Sequence, residues 1–96
     1  MTEVYAAGSG DRFLITAYGH ATGSPEVCAA VSTLLTALAG YLHNDREIET
    51  LECELAPGCG FLEFRGGERA RAVYDMTVIG LLQLEKAQPE HLRVRG

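Results

Sequence analysis

The stretch RFLITAYGHATGSPEVCAAVS, Arg12 to Ser32, holds the junction on which the fold turns. Its first seven residues, Arg12 to Tyr18, are rich in Phe, Leu, Ile, Thr and Tyr, the composition of a β-strand. Ser24-Pro25-Glu26 then reads as a helix start. A serine at the N-cap accepts a hydrogen bond from a first-turn amide, and a proline at the next position has no N–H to leave unpaired. Glu26 puts negative charge where the helix macrodipole favours it. The helix is predicted over Pro25 to Leu42, apolar on most faces and therefore largely buried. A strand that feeds a helix through a short loop belongs to a layered αβ domain.

The flanks extend this unit. Val4 to Ala7 reads as a short strand, joined to Arg12–Tyr18 through a turn at Gly8-Ser9-Gly10-Asp11, so the two form a hairpin. After the helix, His43-Asn44-Asp45-Arg46 is a polar break. Glu47 to Leu55 is a half-exposed strand, with Leu51, Cys53 and Leu55 alternating against Glu52 and Glu54. Ala56-Pro57-Gly58-Cys59-Gly60 turns the chain, and Phe61 to Arg65 returns as a strand. A second helix is predicted over Glu68 to Lys86, with Val73, Met76, Ile79 or Gly80, and Leu84 at helical spacing. Leu92 and Val94 alternate with His91, Arg93 and Arg95 as a short last strand. The order ββαββαβ predicts an α+β fold, a two-layer single domain over residues 1–96 with a mainly antiparallel sheet and two helices.

Composition removes other classes. The chain has 96 residues, 47% hydrophobic and 22% charged, which is a globular profile rather than a disordered one. A net charge of -5 argues against direct nucleic-acid binding or an anionic membrane surface, both of which need a basic footprint. It leaves a basic peptide as a possible partner, with the acidic run Asp45, Glu47, Glu49, Glu52 and Glu54 read first as a solvated face. No run of about 18 uninterrupted apolar residues is present, so no membrane span is expected, and no signal peptide is legible at Met1-Thr2-Glu3-Val4. Three cysteines, Cys28, Cys53 and Cys59, form neither a disulfide framework nor a zinc pattern, which suits a reducing cytoplasm.

The chemistry concentrates at the strand-to-helix junction. Cys28 falls near the start of the helix and His20 at the strand end, so the loop between them can fold an imidazole over the thiol. The thiolate is the nucleophile, helix N-termini stabilise negative charge, and a histidine can take the proton. Gly19 and Gly23 give the loop conformational freedom, Ser32 lies one turn beyond Cys28 on the same face, and first-turn amides can hold an oxyanion. Taken singly, each residue has a plainer reading: Cys28 a small core residue, His20 a strand-end residue, Ser32 a hydroxyl bonded back into its helix. Cys53 is expected in the core, Cys59 is read as incidental to its turn, and His43 and His91 as solvated.

Gly19-His20-Ala21, followed by Val27-Cys28-Ala29-Ala30-Val31-Ser32, resembles the signature of the ribosomal-processing cysteine proteases, the Prp or YsxB-like family. The resemblance implies a cysteine endopeptidase that removes the N-terminal extension of a large-subunit ribosomal protein. It implies Cys28 as nucleophile, His20 as general base and acid, and Gly19 and Ser32 as supporting residues. It further implies a cytoplasmic homodimer with no cofactor and no metal, whose partner is the precursor peptide. Two departures stand out. Pro25 occupies the position where the family usually carries Asp, and the segment between His20 and Cys28 is shorter than usual. They motivate an alternative, a non-catalytic peptide- or ribosome-binding homodimer of the same fold. A thiol redox sensor is a third, weaker reading, since no resolving cysteine lies near Cys28 in sequence.

Overall fold

The structure is a computed structural model that describes residues 1–19 and 24–96. Its elements run β1 (Thr2–Ser9), β2 (Arg12–Tyr18), α1 (Pro25–Asn44), β3 (Glu49–Ala56), β4 (Cys59–Arg65), α2 (Glu68–Ala87) and β5 (Leu92–Arg95). This is the predicted ββαββαβ order. The sheet order is β3-β4-β2-β1-β5, antiparallel throughout except for the parallel pairing of β1 with β5.

The turns are tighter than the sequence suggested. Pairing of β1 with β2 continues to Ser9 opposite Arg12, so only Gly10 and Asp11 form the turn. Gly10 takes φ +62, the left-handed conformation a glycine enters at least cost, in the first position of a two-residue hairpin. Pro57 and Gly58 alone join β3 to β4, with Gly58 at φ +76 in the Pro–Gly order of a type II turn. β3 begins two residues later than predicted because Asp45–Ile48 is itself a turn. There the Ile48 N–H donates to the Asp45 carbonyl at 3.2 Å and the Glu47 N–H to Asp45 Oδ1 at 3.0 Å.

Strand alternation places one row on the helix side of the sheet. Val4 and Ala6 of β1, Phe13, Ile15 and Ala17 of β2, Leu62 and Phe64 of β4 and Leu92 of β5 are all buried there. Phe13 stacks between Phe64 and Tyr74, at ring separations of 5.6 and 4.9 Å. The helix α1 covers this row with Val27, Val31, Leu35, Leu38 and Leu42. Only that stripe is buried. Ala29, Thr33, Thr36, Ala37 and Gly40 face solvent, so the expectation of a largely buried helix is corrected: its apolar outer face is built from small residues rather than from core contacts. By length and composition α1 would also pass as a membrane span, but its large side chains pack on the sheet.

Two further expectations change. Cys53 is exposed, not in the core. It pairs with buried Leu62 and so stands on the correct face, but β3 is the sheet edge and the helices do not cover it. In α2 the core face is Ala70, Thr77 and Leu81, flanked by Val73, Tyr74, Val78 and Leu84. Met76 and Ile79 are 69% and 57% exposed, one step around the helix from the face assigned to them. Gly80 is where α2 meets α1, since a Cβ there would stand 3.0 Å from Leu34 Cδ2. At the opposite end of the helix layer, Arg69 of α2 ties to Asp45 at 2.8 and 3.1 Å and to Glu47 at 2.6 Å, while the Tyr41 hydroxyl donates to Asp45 at 3.0 Å.

Candidate active site

The N-terminus of α1 is built as the sequence predicted. Ser24 is buried, and its Oγ accepts from the Val27 N–H at 3.4 Å and donates to Glu26 Oε2 at 3.5 Å. Pro25 occupies the first helical position. The Cys28 N–H donates to the Ser24 carbonyl at 3.4 Å, the first bond of the helical ladder. This bears on where an oxyanion could sit. Pro25 has no N–H, and the Val27 amide is engaged by the cap. The Glu26 N–H is the first-turn amide left without a partner among the described residues.

The opposite wall comes from the end of β2 and the β3–β4 turn. The Gly19 N–H donates to the Gly58 carbonyl oxygen at 3.0 Å, which joins the end of β2 to the β3–β4 turn. Gly19 has φ +90, and a Cβ on it would lie 2.6 Å from the Met1 carbonyl oxygen. Two independent constraints therefore require glycine at this position.

Between these walls lies a groove of about 370 Å³. The thiol-bearing residue Cys28 is half-buried on its α1 wall, with Ser32 one turn further along the same wall. Val31, Leu35, Ala17 and Leu55 supply apolar surface, and the segment Ala56–Cys59 forms the rim. Gly60 lets the floor approach α1, since a Cβ there would meet Leu35 Cδ1 at 3.1 Å and Leu55 Cδ2 at 3.3 Å. Cys59, read from sequence as incidental, lines this groove from the first residue of β4. Thr2 also lines it and was missed, because the first strand was expected to start at Val4. The period-2 alternation of Thr2, Val4 and Ala6 was the available signal.

Of the predicted site residues, Gly19, Cys28 and Ser32 meet at one groove. His20 lies outside the described residues, as do Ala21 and Gly23. Among the described residues, no group of three His, Cys, Asp or Glu side chains is placed to hold a metal ion. The acidic side chains Glu52 and Glu54 pair with Glu63 and Phe61 and stand on the open face of the sheet, away from the groove.

The chain shares the fold of the ribosomal processing protease Prp. A crystal structure of Prp from S. aureus with a covalently linked product peptide superposes with a TM-score of 0.78 at 17% identity, over 99% of this chain and 98% of that one. The Prp structure with a substrate peptide gives 0.75 at 16% identity, with the same coverage. No family model and no curated protein matches the sequence. The α+β architecture is thus shared with Prp from end to end, although few residues are identical.

Proposed function

We propose that the protein is a cysteine peptidase that trims the N-terminal extension of a large-subunit ribosomal protein. The observation that carries this reading is the position of Cys28: at the start of α1, on the wall of an open groove, in a fold that Prp uses with substrate and product peptides. In the proposed reaction, His20 takes the proton of Cys28 and the sulfur attacks the scissile carbonyl carbon. The oxyanion that forms is held by backbone N–H groups, with the Glu26 amide, which has no partner among the described residues, as the helix's contribution. His20 returns the proton to the leaving amine, and water then releases the acyl group from Cys28. Gly19 shapes the approach to His20, and Ser32 supports the thiol wall.

The same reading makes the protein a cytoplasmic homodimer that needs no cofactor. The surface it offers a second copy is the outer stripe of α2, where Met76, Ile79 and Leu82 are exposed together. Incubation with the precursor extension peptide tests the activity. Cleavage is expected from the wild type and lost in Cys28→Ala and His20→Ala, and cleavage that survives Cys28→Ala overturns the mechanism. One observation favours a second reading, peptide capture without cleavage: Pro25 supplies no carboxylate at the helix start, where the resembling family usually has one. In that case peptide would bind equally to the wild type and Cys28→Ala, and neither would cut it.

A further inference from the structure

The groove carries a buried hydroxyl with no partner among the described residues. Thr2 is only 4% exposed, and its Oγ1 is buried without a hydrogen-bond partner among the described residues. Its backbone N–H is already committed to the His91 carbonyl at 3.0 Å, so the orphan is the side chain alone. Buried hydroxyls without partners are rare in folded proteins, and each one asks for a reason. This one stands on the helix side of β1, in phase with Val4 and Ala6, and lines the groove that Cys28 lines. Gly19, the adjoining residue, carries no side chain to close it off: a Cβ there would lie 3.8 Å from Thr2 Cα.

The rest of the lining limits what can approach that hydroxyl. Among the described residues, no Asp, Glu, Lys, Arg or His side chain lines the groove. Its walls offer Ala17, Val31, Leu35 and Leu55 to an apolar stem. A charged group seated there would lose water and, among the described residues, meet no counter-charge, which is unfavourable. A neutral amide or hydroxyl loses less, and Thr2 has one donor and two acceptor positions to return.

We propose that the groove is a subsite for an uncharged peptide side chain with an apolar stem and a hydrogen-bonding tip, and that Thr2 reads the tip. This rests on the peptide-binding part of the function proposed above and assigns Thr2 as a specificity-determining residue. It separates two roles on the surface: neutral recognition inside the groove, with the acidic open face of β3 outside it.

The test is a titration of isotope-labelled protein with acetylated tripeptide amides Ala-X-Ala, followed by backbone amide shifts at Gly19, Cys28 and Gly60. X is Asn, Thr, Leu, Val, Lys or Glu. Asn and Thr peptides are expected to bind about fivefold more tightly than Leu and Val, the size of one neutral hydrogen bond. Lys and Glu peptides should leave these amides unmoved. Thr2→Val should erase the preference for the polar member of each pair, and Thr2→Ser should keep it. A preference that survives Thr2→Val, a loss of it in Thr2→Ser, equal binding of Lys, or no binding of any peptide each overturns the proposal. Cleavage of the precursor peptide is scored separately, so a failed subsite and a failed peptidase reading give different results.

Discussion

The 3.0 Å bond from the Gly19 N–H to the Gly58 carbonyl closes the wall of the groove that faces α1. It links the end of β2 to the β3–β4 turn, two points that are neighbours only because β4 lies beside β2. Both residues have positive φ, so the bond depends on two glycines at once.

Gly19→Ala is therefore expected to destabilise the fold by about 1–3 kcal/mol, from left-handed strain, with the contact against the Met1 carbonyl adding to it. Urea unfolding measures the loss. Peptide affinity should fall further than stability does, since the groove wall is displaced. An unchanged unfolding midpoint would contradict the constraint at this residue.

Gly60→Val fills the groove floor without a backbone penalty, because Gly60 is not at positive φ. The added side chain would press on Leu35 and Leu55. Overpacking of this kind costs about 1–3 kcal/mol of stability. Peptide binding to the Cys28→Ala protein, measured by fluorescence anisotropy, should weaken at least tenfold. Undiminished binding would place the peptide elsewhere.

How far the molecule was legible in its sequence differs between α1 and the groove. Ser24-Pro25 marked the helix start because capping is local chemistry, but apolar residues on most faces of the helix hid which stripe is buried, namely Val27, Val31, Leu35, Leu38 and Leu42. The groove was not legible as a surface, since Thr2, Cys59 and Cys28 meet there through long-range pairing. Cys53 shows the same limit: alternation identifies a face, but only the sheet order tells whether that face is covered. Met76 and Ile79 were assigned to the core face of α2 because apolar residues surround much of that helix, and small residues such as Ala70 proved to make the contact.

The Asp45–Arg69 tie predicts a pH dependence. The Glu47 N–H first, and the Arg69 guanidinium with it, hold the Asp45 carboxyl below the ordinary carboxylate range. A group lowered on folding stabilises the native state above its unfolded value of about 3.9, and that contribution is lost as pH falls through the lower folded value. Asp45→Asn should thus be less stable than wild type at neutral pH, with the gap closing below about pH 4. Urea midpoints measured from pH 7 down to pH 2 check this, and a gap that does not narrow in acid would remove Asp45 as its source.

Ile79→Arg tests the proposed pairing through α2. Ile79 is 57% exposed in the single chain, so the substitution should leave its fold intact. Sedimentation should show a dimer for the wild type and a monomer for the variant. A wild-type monomer at high concentration, or a dimer that persists in Ile79→Arg, would place the pairing elsewhere or remove it.

The bond from the Thr2 N–H to the His91 carbonyl has a consequence in time. Each hairpin closes over a two-residue loop, but Thr2 and His91 are separated by nearly the whole chain. Long closures are entropically costly and are completed late. The amide of Thr2 should therefore gain protection after those of β2 and β4 in pulsed hydrogen exchange. Thr2 is the groove residue tied to the chain's far end, so the Thr2 corner of the groove should be the last part of it to become fixed as the protein folds.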